Sequence, residues 1–187
     1  MKKRLAILFS ALLLALPVAA QDEQQPIRVG SKLFTEDQLL GHIAYVALEM
    51  AGYPVEDKLA TGNTSVTRDA LLTNQIDLYP EYTGTAFSVF FNSDLIGPVF
   101  GYDSETIYGI VSSYDSAYND LVWLEPSPID NTYVLVVKAD FAEEHGLVDL
   151  ATFAEYVNNG GEVMLAANEE FTTRPDALLA MEEAYGF

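Results

Sequence analysis

The chain has 187 residues, 50% of them hydrophobic and 12% aromatic, which supports a packed core and excludes a disordered chain. Its formal charge of −19 disfavours nucleic acid and anionic lipid as partners, because such a surface repels both. With no cysteine there is no disulfide framework, so stability must come from burial.

The first twenty residues read as a secretory signal peptide. Lys2, Lys3 and Arg4 precede an apolar stretch of twelve, residues 5–16, and Val18-Ala-Ala20 supplies small residues at a cleavage site before Gln21. Twelve apolar residues are too few to span a bilayer. The absence of cysteine after the site argues against a lipoprotein, so a periplasmic product is expected. Removing this segment leaves six cations, Arg28, Lys32, Lys58, Arg68, Lys138 and Arg174, against 28 acids. Such scarcity makes each cation informative.

The elements follow in order. Residues 27–30 form a short strand ending in Gly30-Ser-Lys32. Thr35-Glu-Asp-Gln38 has the capping-box pattern and opens a helix in which Leu39, Leu40, Ile43, Val46, Ala47 and Met50 recur at helical spacing, until Gly52 stops it. Residues 55–59 are a second strand. Residues 61–65 are a turn and cap for a helix reaching about Thr73, with Val66, Ala70 and Leu71 inward. Residues 76–79 are a third strand, broken at Pro80, which cannot donate to a ladder. Tyr79 and Tyr82 flank that break, and Thr83, Gly84 and Thr85 lead into an apolar helix-like run.

Strand and helix alternating at this spacing imply a parallel α/β sheet, whose ligands bind beyond the carboxyl ends of the strands. Those ends are residues 30–32, 61–63 and 79–85. A fresh helix N-terminus there can meet a carboxylate, and tyrosine rings can hold a quaternary ammonium by cation–π attraction.

Further on, a loose connection over residues 92–118 contains one helical stretch, 104–113, and residues 121–124 are a strand. Pro126-Ser-Pro-Ile-Asp-Asn131 is a hinge, and residues 132–138 are a buried strand. A second α/β set comprises helices at 142–145 and 152–157, a turn at 158–161, a strand at 162–166 and a Pro175-started helix over 176–185. The layout is lobe 1 over residues 21–130, then a hinge crossing and an incomplete lobe 2 over 131–187.

Four motifs carry a resemblance: Val29-Gly-Ser-Lys-Leu-Phe-Thr-Glu36, Asp77-Leu-Tyr-Pro-Glu-Tyr-Thr-Gly-Thr85, Asn131-Thr-Tyr133 and Phe171-Thr-Thr-Arg-Pro-Asp176. In order and spacing the chain resembles the substrate-binding proteins of osmoprotectant ABC transporters, which take up glycine betaine, choline, carnitine and related quaternary amines. The resemblance implies an α/β, two-lobed periplasmic binding protein (type II-like), with the first lobe mostly present and the second truncated. It implies that Lys32 and Thr85 contact a ligand carboxylate, that Arg174 reaches it from the second lobe, and that Tyr82 and Tyr133 are cage walls. Asn131 stands where members carry a polar residue near the ligand. It further implies a small quaternary amine and a membrane permease as partners, with the binding protein a monomer. Ala177 replaces the glycine more usual after the Pro-Asp of the last motif. A ligand-sensing ectodomain for a related zwitterion and a non-functional fragment are the alternatives.

No metal or cofactor is expected. The sequence contains no His-Glu-x-x-His, no Gly-x-Ser-x-Gly and no phosphate-binding glycine loop, so catalysis is not expected either. Tyr79 and Glu81 read as packing or hinge residues. Arg68 beside Asp69 reads as a surface residue, and the pairs Glu143-Glu144, Glu169-Glu170 and Glu182-Glu183 as solvated faces.

Overall fold

The structure is a computed structural model that describes residues 25–91 and 101–187. The signal peptide expected over residues 1–20, and part of the connection expected over 92–118, lie outside the described residues.

Strand β1 (Ile27–Lys32) pairs in parallel with β2 (Val55–Gly62), and α1 (Thr35–Met50) is the crossover between them. This is the βαβ unit that the alternation of elements implies. The register runs from Ile27 opposite Val55 to Gly30 opposite Lys58, then shifts so that Lys32 faces Gly62. The extra residues bulge on β2, where Ala60 has φ of 55° and donates its N–H to Ser31 Oγ at 2.9 Å. Bulges re-aim a strand end. Here the device sits beside Lys32.

The third expected strand, residues 76–79, is reduced to one parallel bridge between Val29 and Leu78. Three backbone bonds hold it, Asp77 N to Arg28 O at 2.8 Å, Leu78 N to the same oxygen at 3.4 Å and Gly30 N to Leu78 O at 2.9 Å, before Pro80 ends the ladder.

Helix α1 does not use the capping box. Phe34 is its N-cap and makes no side-chain cap bond, so Thr35 is already the first helical residue. Asp37, fully buried, instead accepts the Lys32 N–H at 2.5 Å. Close packing on the sheet runs through Gly41, while Leu39, Ile43 and Met50 of the apolar series lie exposed. A Cβ at Gly41 would meet Leu59 Cδ2 at 2.7 Å and the Gly30 carbonyl at 3.1 Å. Gly41→Ala would gain about 1 kcal/mol of helix propensity. Overpacking against backbone costs about 1–3 kcal/mol, so a net loss in urea denaturation is expected, and a stabilised variant would refute the close approach.

Helix α2 (Thr64–Leu72) is capped by Asn63, whose side chain accepts from Val66 N at 3.0 Å. Ala70 is buried as expected, but Val66 is exposed. A short α3 (Thr83–Thr85) runs into a π-helical turn, Ala86–Phe90, and α4 spans Ser104–Tyr118. Ala86, Phe87, Phe91 and Val111 form a buried cluster between these segments, with Phe90, Ile107, Ile110 and Trp123 packed on it.

The second half is helical where described: α5 (Ala139–His145), α6 (Leu150–Asn158), α7 (Glu169–Thr173) and α8 (Leu178–Tyr185). The last begins later than expected, with Pro175 in the preceding turn. The strands expected at 121–124, 132–138 and 162–166 are not formed. Val134, Val136 and Met164 are largely exposed rather than buried. Strand propensity alone does not hold a strand, because its N–H and C=O groups need a neighbouring ladder, and the described sheet contains β1 and β2 only. Among the described residues, no helix is long and apolar enough to cross a membrane.

Candidate functional site

The carboxyl end of β1 delivers Lys32 into the molecule rather than to solvent. Its side chain is 1% exposed, and its ammonium pairs with Glu81 Oε1, itself on a side chain 6% exposed. Glu81 also accepts from Tyr82 N at 2.7 Å through Oε1 and from the Tyr79 hydroxyl at 2.9 Å through Oε2. Both oxygens are therefore held by the loop that Pro80 breaks. The Tyr82 ring stands over the Lys32 ammonium, 5.1 Å from its centroid.

The Tyr82 hydroxyl donates to Glu36 Oε1 at 2.7 Å, and Asn131 Nδ2 donates to the same oxygen at 3.0 Å. Burial raises the Tyr82 phenol above its ordinary value, reinforced by the Glu36 carboxylate, so the ring stays neutral and remains a donor. Glu36 thereby ties the first turn of α1 to the tyrosine loop and to Asn131, 95 residues away.

Thr85, three residues beyond Tyr82, meets the other half of the chain. Arg174 NH2 lies 3.4 Å from Thr85 Oγ1, and its guanidinium carbon is 5.6 Å from the Tyr133 ring centroid. Two carboxylates hold that guanidinium, Asp176 at 2.9 and 2.6 Å and Glu170 at 3.5 Å. Tyr133 packs edge-on against buried Phe171 with centroids 5.0 Å apart. The structure thus forms two sets of contacts, Lys32 and Tyr82 with Asn131 joined through Glu36, and Thr85 with Arg174 and Tyr133, which only the short stretch from Tyr82 to Thr85 connects along the chain.

Sequence reasoning missed several members of this assembly. Glu170 is not a solvated face: its Oε1 accepts from Thr64 N at 2.6 Å and its Oε2 from Thr64 Oγ1 at 2.8 Å. It places a carboxylate at the N-terminus of α2, where backbone N–H groups and the helix dipole favour an anion. Glu81 and Tyr79 are more than packing or hinge residues, since Glu81 holds Lys32 directly and Tyr79 holds Glu81. The nearest signal for Glu81 was its position inside the tyrosine motif.

Arg68 is a correction. It is 6% exposed and grips Asp115 of α4 with two bonds, at 2.9 and 2.5 Å. Asp115 also accepts from Trp123 Nε1 at 2.6 Å and Asn119 Nδ2 at 2.7 Å. Arg68 reaches the Tyr79 hydroxyl as well, so one polar chain runs from Trp123 through Asp115, Arg68, Tyr79 and Glu81 to Lys32.

A surface concavity of about 470 Å³, lined by Gln25, Pro26, Ile27, Arg28, Glu56 and Asp77, opens at the opposite end of β1 and includes none of these residues. Among the described residues, no cluster of three or more His, Cys, Asp or Glu side chains is arranged to hold a metal ion.

Residues 25–187 match the family model described as the substrate binding domain of the ABC-type glycine betaine transport system. The glycine betaine-binding protein YehZ of Escherichia coli is 42% identical over 162 residues, covering 87% of this chain and 52% of that protein. A glycine-betaine-binding protein of Pseudomonas aeruginosa is 32% identical over 170 residues, again 52% of its length. The solved structure of apo YehZ from Escherichia coli aligns with a TM-score of 0.53 at 39% identity, covering 87% of this chain and 57% of that one. The chain spans about half the length of these curated relatives.

Proposed function

We propose that this chain, which belongs to the family of substrate-binding domains of ABC-type glycine betaine transport systems, captures a small quaternary amine for a membrane permease. The fold is that of the α/β periplasmic binding proteins; our reading assigns lobe 1 to residues 21–130 and a hinge crossing with an incomplete lobe 2 to residues 131–187. The observation that carries the reading is the junction of the two halves. Arg174 of the second half, with the Tyr133 ring against its guanidinium, meets Thr85 of the first, three residues from Tyr82.

Tyr82 and Tyr133 supply ring faces for a quaternary ammonium, each worth about 0.5–2 kcal/mol according to desolvation. Thr85, Asn131 and Arg174 supply polar contacts at the edge of that space. Lys32, behind Tyr82, fixes the loop and the charge of the wall. The matched family is one of substrate-binding domains, so the reading is of a capture protein rather than of a catalyst. A product exported by cleavage after Ala20, free of lipid and monomeric, completes the reading. Its excess of acids keeps it from nucleic acid.

The test is calorimetric titration of glycine betaine and choline into the natural full-length protein. Binding of either in the micromolar to millimolar range is expected, and loss of binding to both would refute the reading. Arg174→Ala removes a charge-assisted donor worth about 1.5–3 kcal/mol, so glycine betaine should weaken ten- to hundredfold. An unchanged affinity would remove Arg174 from the site.

A further inference from the structure

The hydroxyl of Tyr79 sits between two buried ion pairs. On one side Arg68 of α2 grips Asp115 of α4 through both terminal nitrogens of its guanidinium, and the Phe90 ring lies 4.7 Å from the guanidinium carbon. On the other, Glu81 holds the Lys32 ammonium. The hydrogens along this row have forced directions. A guanidinium only donates, so its bond to Tyr79 uses a lone pair of the phenol oxygen. That leaves the single hydroxyl proton for Glu81, and it goes to Oε2 at 2.9 Å. Burial and the Glu81 carboxylate raise the phenol above its ordinary value, so the proton stays on it. Tyr82 N and Lys32 share Glu81 Oε1, whereas Oε2 takes its hydrogen bond from Tyr79.

We infer that Tyr79 is a positioning residue for ligand capture: its hydroxyl, aimed by Arg68, fixes Glu81 and through it the Lys32 ammonium behind the Tyr82 ring. The inference rests on the quaternary-amine reading above and adds a residue that acts on the ligand through two others. Three observations support it. An ammonium is a point charge on a flexible stem, so the place of Lys32 is set by the carboxylate that pairs with it. Glu81 lies in a stretch, residues 79–82, that belongs to no helix or strand, so donors to its side chain hold it where no ladder does. The far end of the row is anchored as well. Asp115 accepts from Trp123 Nε1 and Asn119 Nδ2, which keeps it from following Arg68 if the tyrosine loop moves. Without the Tyr79 hydroxyl, Glu81 Oε2 would be a buried, charged acceptor missing its donor, and the loop would have to shift to find another.

The experiment combines calorimetric titration of glycine betaine with NMR of the lysine ammonium groups, on the natural full-length protein and its variants. Tyr79→Phe keeps the ring and removes only the hydroxyl. It should weaken glycine betaine about fivefold or more. In a Lys32→Met background the same change should add less than about twofold, because the ammonium that the hydroxyl positions is gone. A tyrosine that only supports the fold would lower the melting temperature and leave affinity alone, or weaken binding equally in both backgrounds. Either result overturns the inference. Where Lys32→Met binds too weakly to titrate, the ammonium resonance decides. In the ligand-free protein the Lys32 signal, identified by its loss in Lys32→Met, should shift or broaden in Tyr79→Phe, and an unmoved signal overturns the inference. Glu81→Gln releases Lys32 while Tyr79 stays, so it should weaken glycine betaine at least as much as Tyr79→Phe. An affinity unchanged by Glu81→Gln overturns the inference too, and this variant serves if Tyr79→Phe does not fold. If the unaltered protein binds neither glycine betaine nor choline, the quaternary-amine reading falls and the inference falls with it. Binding with additive losses in the two backgrounds sinks the inference alone.

Discussion

Replacing Asp115 by alanine is expected to cost about 3–5 kcal/mol, the range seen when one partner of a buried ion pair is removed. The Arg68 guanidinium would stay 6% exposed, left with the Tyr79 hydroxyl and the Phe90 ring 4.7 Å away. Trp123 Nε1 and Asn119 Nδ2 would lose an acceptor in the same step. Marginal stabilities of about 5–15 kcal/mol make that loss a large share of the total. Burial raises the Asp115 carboxyl, but the Arg68, Trp123 and Asn119 donors outweigh it and hold it below the ordinary carboxylate range. Its stabilising contribution is accordingly present above the unfolded value, near pH 4, and lost as pH falls through the folded one. Guanidinium denaturation followed by Trp123 fluorescence measures the cost, and a value under about 1 kcal/mol would mean that water reaches the pair and supports Arg68 unaided. Arg68→Leu/Asp115→Leu should cost less than the single change, since neither partner is then left charged and alone.

This ion pair also shows why some of the molecule was illegible in sequence. Helix ends were readable where the signal is local. Asn63 caps α2 from within the turn that the Thr61-Gly-Asn run suggested. Contacts between distant residues leave no such trace: Arg68 looked like a surface cation because its nearest neighbour in sequence is Asp69, while its partner lies 47 residues on. The capping-box pattern at Thr35 misled for a related reason. A hydroxyl and a glutamine at the right spacing suit a cap, but the bulge at Ala60 turns Lys32 so that its N–H meets Asp37. The strand expected at residues 132–138 failed on pairing rather than propensity.

The site divided in the same way. Tyr82, Thr85 and Lys32 stood out as candidates because a strand end and a proline break concentrate them, and the matching motifs added Asn131, Tyr133 and Arg174. What the motifs did not convey was charge balance. Glu81, Glu36 and Glu170 each sit one to four residues from a residue already singled out, yet their roles emerge only from contacts with partners 46 to 106 residues away.

Asp37 leads to the second large expected effect, a loss of stability as pH rises. Burial pushes its carboxyl up to about 6, against the opposing pull of the Lys32 backbone N–H and ammonium. Glu81 and Glu36 push it the same way as burial, and its Oδ2 is buried without a hydrogen-bond partner. A carboxyl with a raised folded value binds its proton more tightly in the native state than in the unfolded one, so stability falls as pH increases. The contribution is fully present below the unfolded value near pH 4 and is lost as pH rises through about 6. A carboxyl that titrates near 6 when folded and near 4 when unfolded carries about 3 kcal/mol of such pH-dependent stability. The paired acids Asp77 and Asp115 are held below their ordinary value and act in the opposite sense, but in the window below about pH 4. Between about pH 4.5 and 7 the Asp37 effect should therefore dominate the difference between the unaltered protein and Asp37→Asn. That substitution keeps an oxygen for the Lys32 N–H while removing the titration, so its stability should be nearly flat over the window. Melting temperatures of both proteins at half-unit pH steps make the comparison. Parallel curves would show that Asp37 is ionised throughout, with water or a neighbour supporting the oxygen that stands alone in the structure.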